Sequence, residues 1–205
     1  HIAYTYDSKR LHDKAKNKAN LQTMLGLSIT PRAMLFCVVS RMSSQKGLDL
    51  ILAAIPSLLA LDAQLLVLGQ GDPQLEQAFL QAAHAHPHAI AVEIGYAEHS
   101  AHRYIASADA ILVPSRFEPC GLTQLYGLRY GTLPIVTPVG GLADSIQGVN
   151  RAQLDQNATG FFTPSIDGAG LIAAIHNAHF VYHHTEFWPD MQKLAMRQDF
   201  SWRKS

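Results

Sequence analysis

Short apolar runs alternate with amphipathic stretches along almost the whole chain, and this alternation limits the possible folds more than any other feature. Residues 34–39, Met-Leu-Phe-Cys-Val-Val, are continuously apolar and too short for a buried helix. A parallel strand covered on both faces has this signature. Further strands are expected at 64–68, 90–94, 110–113, 133–136 and 160–162. Helices are expected between them, at 46–61, 74–85, 99–108, 121–130, a short one at 141–146, and then 168–182 and 189–198. In 46–61 the packed stripe is Leu48, Ile51, Leu52, Ile55, Leu58 and Leu59, at helical spacing. Strands alternating with helices through short connections predict a Rossmann-like parallel sheet with helices on both faces.

A Lys-rich helix at 11–25 precedes the first strand, and its apolar side reads as Leu11, Ala15, Ala19, Leu21 and Leu25. Residues 1–30 are therefore read as linker and lead-in helix, and 31–205 as the sheet domain. Both ends look cut, because His1 to Asp7 resembles the tail of a linker and Ser201 would cap a helix that hardly follows. A fragment or excised domain is the expectation.

Composition removes several classes. Hydrophobic residues are 48% and charged residues 16% of the chain, which suits a globular core and not disorder. The formal net charge is zero, so no electrostatic footprint for nucleic acid or an anionic membrane is present. No apolar run approaches the ~20 residues of a membrane helix. Two distant cysteines, Cys37 and Cys120, do not suggest a disulfide framework, and a reducing cytoplasm is the simpler setting.

In an open parallel sheet, ligands bind outside the carboxyl ends of the strands. The residues there are polar or glycine in each case. Ser40 to Gly47 follow the first strand, Gly69-Gln70-Gly71 the second and Gly95-Tyr96 the third. Pro114 to Thr123 follow the fourth and Thr137 to Leu142 the fifth. Arg41 and Lys46 flank the start of a helix, where both can reach a diphosphate and stabilise charge on a leaving phosphate. A solvated strand–helix loop is the plainer reading of the same two cations. Glu118-Pro119-Cys120-Gly121 precedes a predicted helix, so the amides of Gly121, Leu122 and Thr123 mark an anion site. A carboxylate beside it repels phosphate, which suits Glu118 to sugar hydroxyls or an electron-poor ring. The alternative is a first-turn acid favoured by the helix dipole. Tyr96 is placed to stack on a base, or else to pack on the domain. Gly69-Gln70-Gly71 is a weak dinucleotide fingerprint, because Gln74 stands where a third glycine is expected.

The histidines at 84, 86 and 88 and at 183–184 tempt a metal reading, yet no convergent carboxylates or thiolates accompany them. There is no Asp-x-Asp to clamp a magnesium diphosphate. Arg41, Lys46 and backbone amides are then left to meet the diphosphate charge, and no metal or other cofactor is expected.

Several segments together carry a resemblance. Val38 to Leu50 is similar to the Ser-Arg…Gln-Lys-Gly segment of the bacterial glycogen synthase and plant starch synthase family. Ser115 to Gly127, Gly140 to Asp144, and Asp199 to Trp202 resemble the same family, and Asp13 to Lys18 resembles its linker. The resemblance implies the C-terminal, donor-binding domain of a two-domain GT-B glycosyltransferase. It implies retaining transfer of glucose from ADP-glucose to the non-reducing end of an α-1,4-glucan, without a metal. By motif it assigns Arg41 and Lys46 to the diphosphate, Gly69 to the nucleotide side, Tyr96 to adenine, and Glu118 to the donor glucose. Glu118, Arg41 and Lys46 are the catalytic candidates. Leu122 and Thr123 would offer amides to the phosphates, with Cys120 and Gly121 in the same loop. Tyr126 departs from related GT-B transferases, which carry a second glutamate there. The N-terminal domain of the family, with its Lys-x-Gly-Gly loop and acceptor surface, is absent from these residues. The chain alone is therefore expected to bind ADP weakly and not to turn over. A nucleotide-binding module without catalysis and a Rossmann oxidoreductase are the competing classes, the latter disfavoured by Gln74.

Overall fold

The computed structural model describes residues 2–149, 157–184 and 186–200. Its frame is a six-stranded, all-parallel sheet in the order β3-β2-β1-β4-β5-β6. The strands are β1 Leu35–Val39, β2 Gln64–Gly69, β3 Ile90–Ile94, β4 Ala110–Val113, β5 Leu133–Val136 and β6 Phe161–Phe162. The helices are α1 His12–Leu25, α2 Leu48–Ala60, α3 Pro73–Ala85, α4 Glu98–Ser107, α5 Thr123–Arg129, α6 Gly140–Ser145, α7 Gly168–His184 and α8 Phe187–Arg197.

The sheet forms because β1, β2, β4 and β5 are buried on both faces along their whole length. Burying one such Leu, Ile or Val side chain stabilises by about 1.5–3 kcal/mol. Helices α2, α3 and α7 cover one face, while α4 and α5 cover the other, flanked by α1 and α8. Right-handed crossovers through α2 and α3 carry the chain outward from β1 to β3. Helix α4 then returns it across the sheet to the far side of β1. The strand order reverses between β1 and β4, so their two following loops diverge and leave a crevice.

Two expectations need correction. The first is the inner face of α1. Its buried residues are Lys14, Asn17, Lys18, Leu21 and Gln22, while Ala15 is exposed and Leu11, Ala19 and Leu25 are only half-buried. The helix lies against α4 and reaches the residues that lead into the strands, where backbone and side-chain oxygens accept from it. Lys14 Nζ donates to the Ala106 carbonyl at 2.8 Å and to Thr132 Oγ1 at 2.7 Å. Lys18 Nζ donates to the Ala33 carbonyl and to Asp109 Oδ2, both at 2.6 Å, and Gln22 Nε2 donates to Gln64 Oε1 at 2.7 Å. Burial works against the Lys18 charge, but Asp109 and Tyr182 outweigh it, and its pKa ends above the ordinary value.

The second correction is the start of α5, which begins at Thr123 and not at Gly121. Gly121 has φ +72°, a left-handed backbone that cannot itself be a residue of a right-handed helix. Gln124 Nε2 donates to the carbonyls of Cys120 and Gly121, both at 3.1 Å, and fixes this turn. The expected cap at Ser201 lies outside the described residues.

Candidate functional site

The crevice between the loops after β1 and β4 gathers most of the predicted site. After β1, a single 3₁₀ turn over Ser44–Lys46 ends at Gly47 and leads into α2. Lys46 Nζ from this turn contacts Glu118 Oε2 from the loop after β4, and both side chains are largely buried. Ser115 Oγ donates to the same carboxylate oxygen at 3.3 Å. The Gly141 amide holds the Glu118 carbonyl at 3.1 Å. At 9% exposure, Glu118 is thus a buried carboxylate with its charge met, not a solvated first-turn acid. The Gly140-Gly141 pair permits the approach of α6, because a Cβ on either would overlap the Glu118 or Cys120 carbonyl oxygen.

A cavity of about 340 Å³ opens beside this pair. Arg41, Lys46, Gly69, Tyr96, Thr123 and Tyr126 line it, with Ala101 and Ile105 of α4. Arg41 is exposed, and Tyr96 is 72% exposed at the far end. Gly69 is a contact requirement and not a cofactor fingerprint: a Cβ there would overlap the Ser40 carbonyl oxygen, and Gly71 bridges to Met42 in the same way. Asp72 then caps α3 through the Gln74 amide at 2.8 Å. From the loop after β1 to the loop after β3 the cavity crosses two strand spacings, roughly 10 Å, with Thr123 and Tyr126 of α5 also in its lining. Lys46 and Tyr96 are both in its lining, whereas Glu118 lines a small adjoining recess of about 20 Å³ that shares Lys46 and Thr123 with the cavity.

Not every predicted residue faces this cavity. Cys120, Gly121 and Leu122 line a separate cavity of about 390 Å³ on the other side of the loop, with Asp144, Ser145 and Phe200. The histidines at 84, 86 and 88 are exposed at the end of α3. Sequence reasoning gave Tyr126 no place in the site. Its ring lies edge-on to His102, with centroids 5.7 Å apart, and its spacing from Thr123 on α5 was the available signal. Arg116 and Asp49 were also given no role, although they join the two loops, as described below.

Comparisons with known proteins agree with this geometry. Residues 33–179 match the model for glycosyl transferases group 1, and the chain belongs to that family. Within it, the chain is similar to glycogen synthases. It is 51% identical over 199 residues to the glycogen synthase of Yersinia pseudotuberculosis serotype O:1b (strain IP 31758), covering 97% of this chain and 42% of that protein. It is also 51% identical over 202 residues to that of Edwardsiella ictaluri (strain 93-146), again covering 42% of the relative. The chain thus spans about two-fifths of the length of these curated relatives. The catalytic domain of starch synthase IV from Arabidopsis thaliana, solved bound to ADP and acarbose, superposes with a TM-score of 0.91 at 32% identity. That match covers 99% of this chain and 42% of the other. The C-terminal domain of a group 1 glycosyltransferase from Francisella tularensis shares the fold, with a TM-score of 0.65 at 17% identity, covering 94% of this chain and 95% of the other. The fold is therefore the Rossmann-like half of a GT-B glycosyltransferase. Among the described residues, no helix is long and apolar enough to cross a membrane.

Proposed function

We propose that this chain is the donor-binding part of a cytoplasmic ADP-glucose:α-1,4-glucan glucosyltransferase. The observation that carries the reading is the Lys46–Glu118 pair at the reversal of strand order, whose Lys46 lines a cavity that also holds Tyr96. The similarity to glycogen synthases and to an ADP-bound starch synthase supports it.

In this reading Arg41 and Lys46 hold the diphosphate, with the backbone at Leu122 and Thr123, and no metal is assigned to the step. Gly69 leaves room for the nucleotide, and Tyr96 lies against adenine. Glu118 faces the donor glucose. The bond from glucose C1 to the β-phosphate oxygen breaks, and a bond from C1 to the acceptor 4-hydroxyl oxygen forms on the same face. The hydroxyl proton leaves with ADP. Charge on the departing diphosphate is met by Arg41 and by Lys46, the latter already held in place against Glu118. The acceptor glucan and a second domain supply the other wall, so the chain alone binds nucleotide weakly without turnover.

Calorimetry tests this directly. ADP is expected to bind the chain at millimolar concentration or below, and Lys46→Ala to weaken it by about 1.5–3 kcal/mol, the worth of one charged hydrogen bond. Absence of ADP binding counts against the donor site, and an unchanged dissociation constant removes Lys46 from it. Glucan elongation by this chain alone would refute the need for a second domain.

A further inference from the structure

Lys46 and Glu118 lie far apart in sequence, on two loops that follow neighbouring strands. One residue outside the pair ties these loops together. The Arg116 guanidinium forks onto Asp49 of α2, with Nη1 to Oδ1 and Nη2 to Oδ2 both at 2.7 Å. Its Nη1 also donates to the Ser44 carbonyl, the first of the 3₁₀ turn. The Arg116 amide donates to the Gln45 carbonyl at 2.8 Å, and Gln45 Nε2 returns toward the Phe117 carbonyl at 3.4 Å. Each residue of the Ser44–Lys46 turn is thus tied to residues 116–118, Lys46 through Glu118 itself. The fit is close on the other side as well, because a Cβ at Gly47 would overlap the Pro114 carbonyl oxygen. Asp49 and Arg116 are each more than a third exposed, so the pair adds little to global stability. A bidentate fork fixes direction, which a single point charge does not.

We propose that Arg116 is a positioning residue. By gripping Asp49 and the Ser44 carbonyl, it holds the turn bearing Lys46 in register with the loop bearing Glu118, and so aims the Lys46 ammonium at the diphosphate. The inference rests on the donor-site reading above.

The alternative role for Arg116, a cation that merely attracts an anionic nucleotide, makes the opposite forecast for its partner. Removing the Asp49 carboxylate would then tighten ADP binding. Positioning requires Asp49→Asn to weaken it. The experiment measures ADP dissociation constants by calorimetry for the wild-type chain, Arg116→Lys, Asp49→Asn and Arg116→Ala/Asp49→Ala, with amide hydrogen exchange over residues 44–47 and 115–118. Each variant is expected to bind ADP about three- to tenfold more weakly. The double variant should be no weaker than the single ones, because the fork is lost only once. Exchange should quicken in both segments together, with the unfolding temperature nearly unchanged. Tighter or unaltered ADP binding by Asp49→Asn overturns the proposal, and so does rescue of affinity by Arg116→Lys or in the charge-balanced double variant. A wild-type chain that binds no ADP removes the donor-site reading and this inference with it. That failure appears in the wild type, whereas failure of the positioning role appears only in the variants.

Discussion

Glu118→Gln should bind ADP more tightly than the wild type while abolishing most turnover in a full-length enzyme. The reason lies in what Lys46 is doing before nucleotide arrives. Its ammonium is already committed to the Glu118 carboxylate, and neither side chain is well solvated. A diphosphate that takes a hydrogen bond from the same ammonium brings a second anion to within about 5 Å of the first, the separation of two acceptors sharing one donor. At that distance two unit charges repel by about 0.8 kcal/mol at the dielectric of water and about 3 kcal/mol at an effective dielectric near 20. The site is partly buried and sits between these limits, so relief of about 1.5 kcal/mol is expected, which is about tenfold in affinity. Glutamine keeps the shape and still accepts from Ser115 and Lys46. The turn bearing Lys46 stays fixed by Arg116 and Asp49. Calorimetry with ADP reads the affinity. Activity, measured with Glu118→Gln in the intact enzyme, should fall by about 100-fold or more, the usual loss when a transition-state electrostatic partner is removed. Equal or weaker ADP binding would refute the view that carboxylate and diphosphate compete for one ammonium. Undiminished activity would remove Glu118 from the chemistry.

Two further outcomes concern the base of the sheet. Asp109→Asn leaves the Lys18 ammonium buried without its counter-ion, at a cost of about 3–5 kcal/mol. At about 2–4 °C per kcal/mol for a domain of this size, differential scanning calorimetry should show a loss of roughly 10 °C, and a loss under 2 °C would count against the buried pair. Burial lowers the Lys14 pKa from 10.5 to about 7, despite the attraction of Asp109. The folded chain therefore releases this proton at a lower pH than the unfolded chain does, so stability rises with pH above about 7 until the unfolded amine also loses its proton. Urea titrations should find the wild type about 2 kcal/mol more stable at pH 9 than at pH 7, less the opposing effect of Cys37, whose thiol burial raises in pKa. Lys14→Met should flatten that rise, and an equal rise in the variant would show that Lys14 is not its source.

The buried strands were legible because a strand covered on both faces must be continuously apolar. Accordingly 34–39 and 64–68 match β1 and β2 to within a residue, and 110–113 and 133–136 match β4 and β5 outright. The same rule misled at α1. Its inner face meets oxygen acceptors at the end of α4 and the starts of the strands, so Lys14, Lys18 and Gln22, spaced four apart, are the buried stripe. Apolar periodicity has no way to mark a face whose partners are hydrogen-bond acceptors. At the site, the loops after the strands were legible from topology, because parallel strands leave their carboxyl ends for ligands. Their cross-connections were not. Nothing in local composition says that Arg116 grips Asp49, or that Glu118 meets Lys46, since each contact crosses between two strand–helix units. Those contacts give the motif residues their meaning. Taken by residue type, Lys46 is a cation for phosphate and Glu118 an acid that phosphate should avoid. In the fold they are partners, and on the proposed donor-site reading nucleotide would enter by sharing the ammonium that Glu118 already holds. In the proposed donor site, the charge that would make Glu118 useful beside a reacting sugar would also weaken the hold on ADP, and a product held less tightly leaves sooner.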